Sequence, residues 1–376
     1  MWGTRKRSYL DWAAASPVSP EAERVFRAAL PYSGNPNALH GEARAARALL
    51  EEARTNIARL AEMKPEGVVF TSGATEANAL AILGAVRARG VSGAHVLYHP
   101  AQHASVIGAV EMLKEEGVSV EEIDIAKLAS QIRPDTVLVT MDLVCGETGT
   151  RHDTLAVRRT LDAFRAGILL HVDASQAPFA ESFMLSHVGA DMLSLDAQKV
   201  GGIRGIGALL LRRGITLAPL MRGGGQERGR RPGTESPALA LAFSVALREA
   251  AEGRQKFVER ATSMRNNLLM RMRELPNIEV NEGAEKVPHI LNVSCIGRDT
   301  DYLVMLLDKA GFAVSTKSAC ETDATGSRAV LAYTGDATRA EATLRISWGP
   351  VTKERELIRF ADAFAEAIRF LDEKTI

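Results

Sequence analysis

The sequence has few cysteines, no excess of charge of either sign and no long apolar run. Each shortage excludes a class of protein. Only three cysteines occur in 376 residues, at Cys145, Cys295 and Cys320. The number is odd and the spacings are wide, so no disulfide framework is implied, and a cytoplasmic location is expected. No C-x-x-C pair occurs, and no metal site is expected. Basic and acidic side chains number 46 each. A general nucleic-acid binder needs a basic excess to neutralise phosphates, and so does a polybasic membrane-surface protein. Neither is expected. No apolar run approaches the roughly 20 residues of a membrane span. The opening residues, MWGTRKRSYLDW, set basic side chains before no apolar stretch, so no secretory signal is expected.

What is present is enough apolar surface for a large core. Apolar residues make up 46% of the chain and charged residues 24%, which excludes a disordered chain. Short apolar runs occur at Val68–Thr71, His95–Tyr98, Val137–Leu143, Ile168–Val172, Met192–Leu195 and Ala208–Leu211. Most are separated by stretches of helical periodicity, such as Glu42–Met63 and Glu76–Ala88. That alternation predicts an α/β fold with a largely parallel sheet. After about residue 250 the pattern changes to that of a smaller α+β domain. A long helix is predicted over Pro237–Glu274, with later strands near Ile278–Val280, His289–Val293, Ala313–Ser315 and Thr343–Ser347. A last helix is predicted over Lys353–Asp372. The expected division is 13–255 for the large domain, with 1–12 and 256–376 forming the small one. The Gly- and Arg-rich run Arg222–Gly233 reads as an irregular surface segment.

Three segments carry residues suited to chemistry. In Thr71-Ser72-Gly73-Ala74-Thr75-Glu76 a strand meets a helix start through small residues. Unpaired N–H groups and the helix dipole make such a turn an anion site. A capped helix without a ligand fits the same residues. No Walker-A lysine and no G-x-G-x-x-G accompany the turn, which argues against ATP and NAD. In Ile168–Gln176 an apolar strand ends at Asp173, where ligands of open α/β sheets bind. A buried Asp there needs a cation or several donors. In Met192–Gly207 a lysine, Lys199, follows a strand and precedes four glycines that permit close backbone approach. A lysine in such a pocket can act as an amine nucleophile. Phosphate donors, a carboxylate for a pyridine nitrogen and a lysine are together what pyridoxal 5'-phosphate requires.

With these residues in order, the chain resembles the cysteine desulfurases of the class V aminotransferase superfamily, which are pyridoxal-phosphate-dependent enzymes of fold type I. The resemblance runs from Tyr9-Leu10-Asp11 to about Arg369. It includes Gly34-Asn35-Pro36 with His40, the TSGATEAN turn, His103-Ala104-Ser105, His171–Gln176 and the lysine segment. It continues through Gly223–Glu227, Arg231-Pro232-Gly233-Thr234, Ser318-Ala319-Cys320 and Leu344–Ser347. The resemblance implies that Lys199 holds the cofactor covalently and shuttles the Cα proton. It implies that His103 stacks on the ring and assists proton transfer, and that Ala74 and Thr75 bind phosphate. Asp173 would pair with the ring nitrogen and Gln176 would reach the ring hydroxyl. Gln198 would stay beside the cofactor. Thr234 would reach the phosphate of a second subunit in a homodimer. Arg345 would clamp the substrate carboxylate, with Asn35 nearby. The implied reaction takes sulfur from L-cysteine, leaving alanine and a persulfide on Cys320 for a sulfur acceptor or an iron–sulfur scaffold protein. Lys317 is the candidate activator of that thiol, and Cys295, in an apolar run, reads as a core residue.

Three positions depart from the family pattern. Gln198 replaces the histidine usual before the lysine. Asp196 replaces a serine that helps to bind phosphate. Cys145-Gly146 replaces a pair of asparagines. An anionic Asp196 facing a phosphate would repel it, so it is expected to turn away, pair with a cation or be protonated. These departures keep alternatives open: a selenocysteine lyase or aminotransferase on the same fold, or a catalytically silent homologue acting as a binding partner.

Overall fold

The computed structural model describes residues 7–316 and 326–374. Cys320, with Lys317, Ser318 and Ala319, lies outside the described residues. The chain divides into two compact units, Pro17–Leu143 with His152–Glu252, and Met1–Ser16 with Val144–Arg151 and Gly253–Ile376. Residues 144–151, placed in the large domain by sequence pattern, thus group with the C-terminal unit. The second seam falls at 252/253, inside the helix Pro237–Met272.

Strand β1, Ser8–Tyr9, belongs to the C-terminal unit. The larger unit holds β2 (Val68–Thr71), β3 (His95–Tyr98), β4 (Ser119–Glu122), β5 (Thr136–Asp142), β6 (Leu169–Asp173), β7 (Met192–Asp196) and β8 (Gly207–Leu211). They form one seven-stranded sheet in the order β2-β8-β7-β6-β5-β3-β4. Only β8 runs against the rest, pairing antiparallel with both β2 and β7. The sheet is therefore mainly parallel, as the alternating pattern predicts. Its central strands are buried on both faces, so their sequences are continuous apolar runs such as Leu169-Leu170-His171-Val172. β4 was not expected from sequence. Its residues, Ser-Val-Glu-Glu, are mostly exposed at the edge of the sheet, where charge guards against further pairing.

The helix Ala74–Arg89 packs in the core of this unit. Leu80, Ala81, Ile82, Leu83, Ala85 and Val86 are all buried, so it is apolar on every side. The helix Gly41–Leu60 instead buries one stripe, Ala43, Ala46, Leu50, Ala53 and Ile57, at the spacing of helical turns. Its N-terminus is capped by His40, whose Nδ1 accepts from the Ala43 N–H.

In the C-terminal unit β9 (Ile278–Val280), β10 (Ile290–Cys295) and β12 (Thr343–Ser347) form an antiparallel sheet in the order β12-β10-β9. The short strand β11 (Phe312–Ala313) pairs in parallel with β1. The helix Glu354–Lys374 follows its predicted position within a few residues, and the helix Thr300–Ala310 precedes β11. Cys295 ends β10 with no exposed surface, and burial pushes its thiol up to about 12. It is a core residue, as its apolar run suggests.

The Gly- and Arg-rich run is better anchored than its composition suggests. Glu227, within it, is buried and forms a bidentate pair with Arg54, at 2.8 Å from both terminal nitrogens. The same carboxylate accepts from the Phe70 N–H at 3.1 Å. Arg231 pairs with Glu76 at 2.9 Å. Two ion pairs therefore hold this run against the helix Gly41–Leu60 and the first turn of the helix Ala74–Arg89, and the Phe70 N–H ties it to β2.

Candidate active site

The candidate site lies at the carboxyl ends of β6 and β7, neighbours in the sheet with Asp173 opposite Ser194. Asp173 closes β6 and is buried. Its Oδ2 accepts from Asn78 Nδ2 at 2.7 Å, and its Oδ1 accepts from the Ser175 N–H at 2.9 Å. Asn78 lies on the central helix and also donates to Ser105 Oγ at 3.0 Å. Among the described residues, two donors and no arginine or lysine fix the carboxylate. His171, two residues earlier, is wholly buried between Thr140 Oγ1 (2.8 Å) and Ser194 Oγ (3.0 Å). Burial pushes it down to about 4 against the pull of Asp173, so it is a neutral spacer at pH 7.

The lysine segment follows β7. A single turn of 3-10 helix, Ala197–Lys199, carries Gln198 and Lys199, both half-buried. Asp196 caps this turn, its Oδ1 accepting from the Gln198 N–H at 3.0 Å. The turn packs tightly. A side chain at Gly202 would come within 2.9 Å of Ala197 Cβ, and one at Gly207 within 2.7 Å of the Gly73 backbone. Gly207 lets β8 lie against the small-residue turn, and Gly202 lets the lysine segment fold back on Ala197.

The helix Ala74–Arg89 begins at that turn. Its N-cap, Gly73, has no side chain to cap with. The Ala74 N–H instead donates to Asp196 Oδ2 at 3.0 Å. Glu76 reaches back to the Ser72 N–H at 2.6 Å, in the manner of a capping box. Thr75 is exposed beside it. Of the three expectations for Asp196, turning away is overturned: the carboxylate faces into the anion cup. Burial, with repulsion from Asp173, raises its pKa against two N–H donors and the Lys199 charge.

His103 is exposed and caps the helix Ala104–Glu115, its Nδ1 lying 3.2 Å from the Ser105 N–H and 2.9 Å from Ser105 Oγ. Gln176 is half-buried just past β6. Thr234 is exposed and lines a cavity of about 190 Å³ with Thr71, Ser72 and Arg231. Asn35 is exposed and accepts from the Asn37 N–H at 3.0 Å. In the other unit Arg345 is buried on β12. Its guanidinium donates to Asp11 Oδ1 at 2.9 Å and to the Gly146 carbonyl at 3.0 Å. Its Nε is buried without a partner among the described residues. Cys145 is buried, and its N–H donates to the Thr150 carbonyl at 2.9 Å.

Sequence reading missed two groups. Asn78 stood within a quoted motif without a role, and it is the side chain that holds Asp173. His99, Asp142 and His152 also converge, with ligand atoms all within 4.8 Å. His99 and His103 share an H-x-x-x-H spacing, yet His103 turns to Ser105 and His99 to Asp142. Burial opposes the charge on His152, but Asp142 at 3.3 Å wins and raises its pKa. His99 is pushed down to about 4 by burial. The trio therefore reads as a buried Asp142–His152 contact beside an imidazole whose charging burial opposes.

The residues fit pyridoxal phosphate at the ring end, where a buried carboxylate with fixed donors lies beside a strand followed by a half-buried lysine. At the phosphate end the donors are present, but a carboxylate of the chain itself already accepts from the first of them.

Comparison with known proteins agrees with this geometry. A solved NifS-like protein superposes with a TM-score of 0.91 at 26% identity, covering 97% of this chain and 100% of that one. A solved SspA in complex with cysteine superposes at 0.79 with 29% identity, covering 92% of this chain and 99% of that one. The fold is therefore that of the NifS-like enzymes. The aminotransferase class-V family model matches residues 8–360. This chain belongs to the aminotransferase class-V family. Among its relatives is cysteine desulfurase IscS 1 of Archaeoglobus fulgidus, 32% identical over 96% of this chain and 97% of that one. Another is cysteine desulfurase IscS of Vibrio campbellii, 35% identical over 93% of this chain and 89% of that one. No helix among the described residues is long and apolar enough to cross a membrane.

Proposed function

We propose that this protein is a pyridoxal-phosphate-dependent cysteine desulfurase. The observation that carries the reading is that Asp173 closes β6 and Lys199 follows β7, its neighbour in the sheet, with Asn78 of the helix Ala74–Arg89 holding Asp173. Relatives named as cysteine desulfurases over nearly the whole chain give that placement its reaction. The bound cofactor supplies an electron sink for the substrate carbons. Asp173 would hold a protonated ring nitrogen through its carboxylate, kept in place by Asn78 and the Ser175 N–H. Lys199 Nζ would hold the cofactor and carry the Cα proton. His103 would stack on the ring, with Gln176 at the ring hydroxyl and Gln198 alongside. Thr75 and Ala74 would serve the phosphate from one chain and Thr234 from a second copy in a homodimer.

Arg345 would clamp the substrate carboxylate, with Asn35 nearby. Its Nε has no partner among the described residues, while Asp11 and Gly146 hold the other nitrogens. The Cys320 thiolate would attack the sulfur of L-cysteine. The carbon–sulfur bond breaks with its electron pair going to carbon, which takes a proton. The products are alanine and a persulfide on Cys320, so one sulfur atom moves and nothing else is consumed. The persulfide would pass to an acceptor, such as an iron–sulfur scaffold protein, in a reducing cytoplasm. Incubation with L-cysteine and a thiol reductant, which frees the persulfide sulfur as sulfide, should yield equal alanine and sulfide, and Cys320→Ala should abolish both. Sulfur release by Cys320→Ala at the unsubstituted rate would sink the persulfide step.

A second reading, a silent homologue that serves as a binding partner, is favoured by one observation, the Asp196 carboxylate in the anion cup. A cofactor absorption band in the purified protein that vanishes in Lys199→Ala excludes it.

A further inference from the structure

Asp196 sits where a phosphate-binding site needs an open donor. The helix Ala74–Arg89 starts from a glycine that cannot cap it, so its leading N–H groups need an acceptor from elsewhere. In a phosphate site that acceptor is the phosphate. Here Asp196 Oδ2 takes the Ala74 N–H at 3.0 Å. Its second oxygen takes the Gln198 N–H at 3.0 Å, so both oxygens are engaged and the side chain is pinned. The carboxylate is buried, with 7% of the residue exposed. A carboxylate and a phosphate are both acceptor-only anions. They compete for the same N–H, and they repel each other if both remain.

We propose that Asp196 sets the cofactor specificity of this site by acting as a resident anion in the phosphate cup. Pyridoxal phosphate must displace the carboxylate to place its phosphate, so this end contributes little to affinity. The ring end, built on Asp173 and Lys199, is unaffected. The protein therefore discriminates only weakly between pyridoxal phosphate and pyridoxal, which lacks the phosphate. The inference rests on the cofactor reading given above.

Replacement by serine tests it without dismantling the turn. Serine is itself an N-cap residue, so the Ala197–Lys199 turn retains an acceptor while the negative charge leaves the cup. Asp196→Asn is the isosteric second variant, which keeps the shape if the serine form folds poorly. Melting curves establish that each full-length chain is folded. Each chain, freed of bound cofactor, is then titrated with pyridoxal phosphate and with pyridoxal, read by visible absorbance and equilibrium dialysis. Asp196→Ser should bind pyridoxal phosphate about tenfold or more tightly than the unsubstituted chain, the scale of one charge-assisted hydrogen bond. Asp196→Asn should shift in the same direction. Pyridoxal should bind all three alike. Inorganic phosphate should raise the melting temperature of Asp196→Ser and leave that of the unsubstituted chain unmoved.

If the unsubstituted chain binds pyridoxal phosphate as tightly as Asp196→Ser, and far more tightly than pyridoxal, the carboxylate does not hold the cup. The inference then falls while the cofactor reading stands. If no chain binds either compound, the cofactor reading fails and takes the inference with it.

Discussion

The two ends of the candidate site use the same device for opposite results. Asp173 and Asp196 both close a buried strand, and each accepts the backbone N–H two residues on, at 2.9 and 3.0 Å. They differ in the second donor. For Asp173 it is the Asn78 side-chain amide, which no cofactor phosphate would use. For Asp196 it is the Ala74 N–H, the group a cofactor phosphate would use. A held carboxylate helps where a cation must be met and hinders where an anion must be received. Identity of residue type therefore says little about role; the donor each acid consumes says more.

A third buried acid, Glu227, sharpens the contrast because it does have a cation. Removing its partner should have the largest effect on stability. Arg54→Met leaves Glu227 buried and unpaired, and should destabilise the chain by about 3–5 kcal/mol, read by denaturant unfolding. Adding Glu227→Leu to Arg54→Met should recover much of that loss. If Arg54→Met is harmless, acids in this unit do not need paired charge, and the distinction from Asp173 and Asp196 collapses.

The next effect is on turnover. Asp173→Asn keeps the shape but removes the charge facing the ring, and should lower kcat by about 10²–10³-fold. Asp196→Asn should not lower cofactor affinity at all. Equal losses in both variants would show that the two ends are alike.

The smallest effect is on the pH dependence of stability. Burial raises the Asp196 carboxyl above its ordinary value of 3.8. Between that value and the raised one, the folded chain holds a proton that the unfolded chain has lost. The stability contributed by this residue therefore falls as pH rises through that window. Asp196→Asn removes the term, so its melting temperature relative to the unsubstituted chain should climb with pH from acid towards neutral. A constant difference across that range would place the carboxyl at its ordinary pKa.

Much of this was legible in the sequence. The apolar runs located six of the seven strands of the large sheet because those strands are buried on both faces. The missing strand, β4, is an exposed edge whose Ser-Val-Glu-Glu has no apolar run to read. Asp173 and Lys199 were legible because each follows an apolar strand, and position after a strand is a local property. The grouping of 144–151 with the C-terminal unit was not, since contacts rather than composition define it.

The sequence by itself determined the layers, the order of the motifs and the identity of every acid, base and thiol. Hydrophobic periodicity and local turn chemistry act over a few residues, so they can be read in one dimension. Only the tertiary structure decided which donor each acid consumes. Asn78 and Asp173 stand 95 residues apart, Ala74 and Asp196 122 apart, and Arg54 and Glu227 173 apart. Those partners are set by strand order in the sheet and by glycines that let backbones approach. The physical reason is that a side chain's direction follows from the register of its strand, and register is settled only when the whole sheet packs.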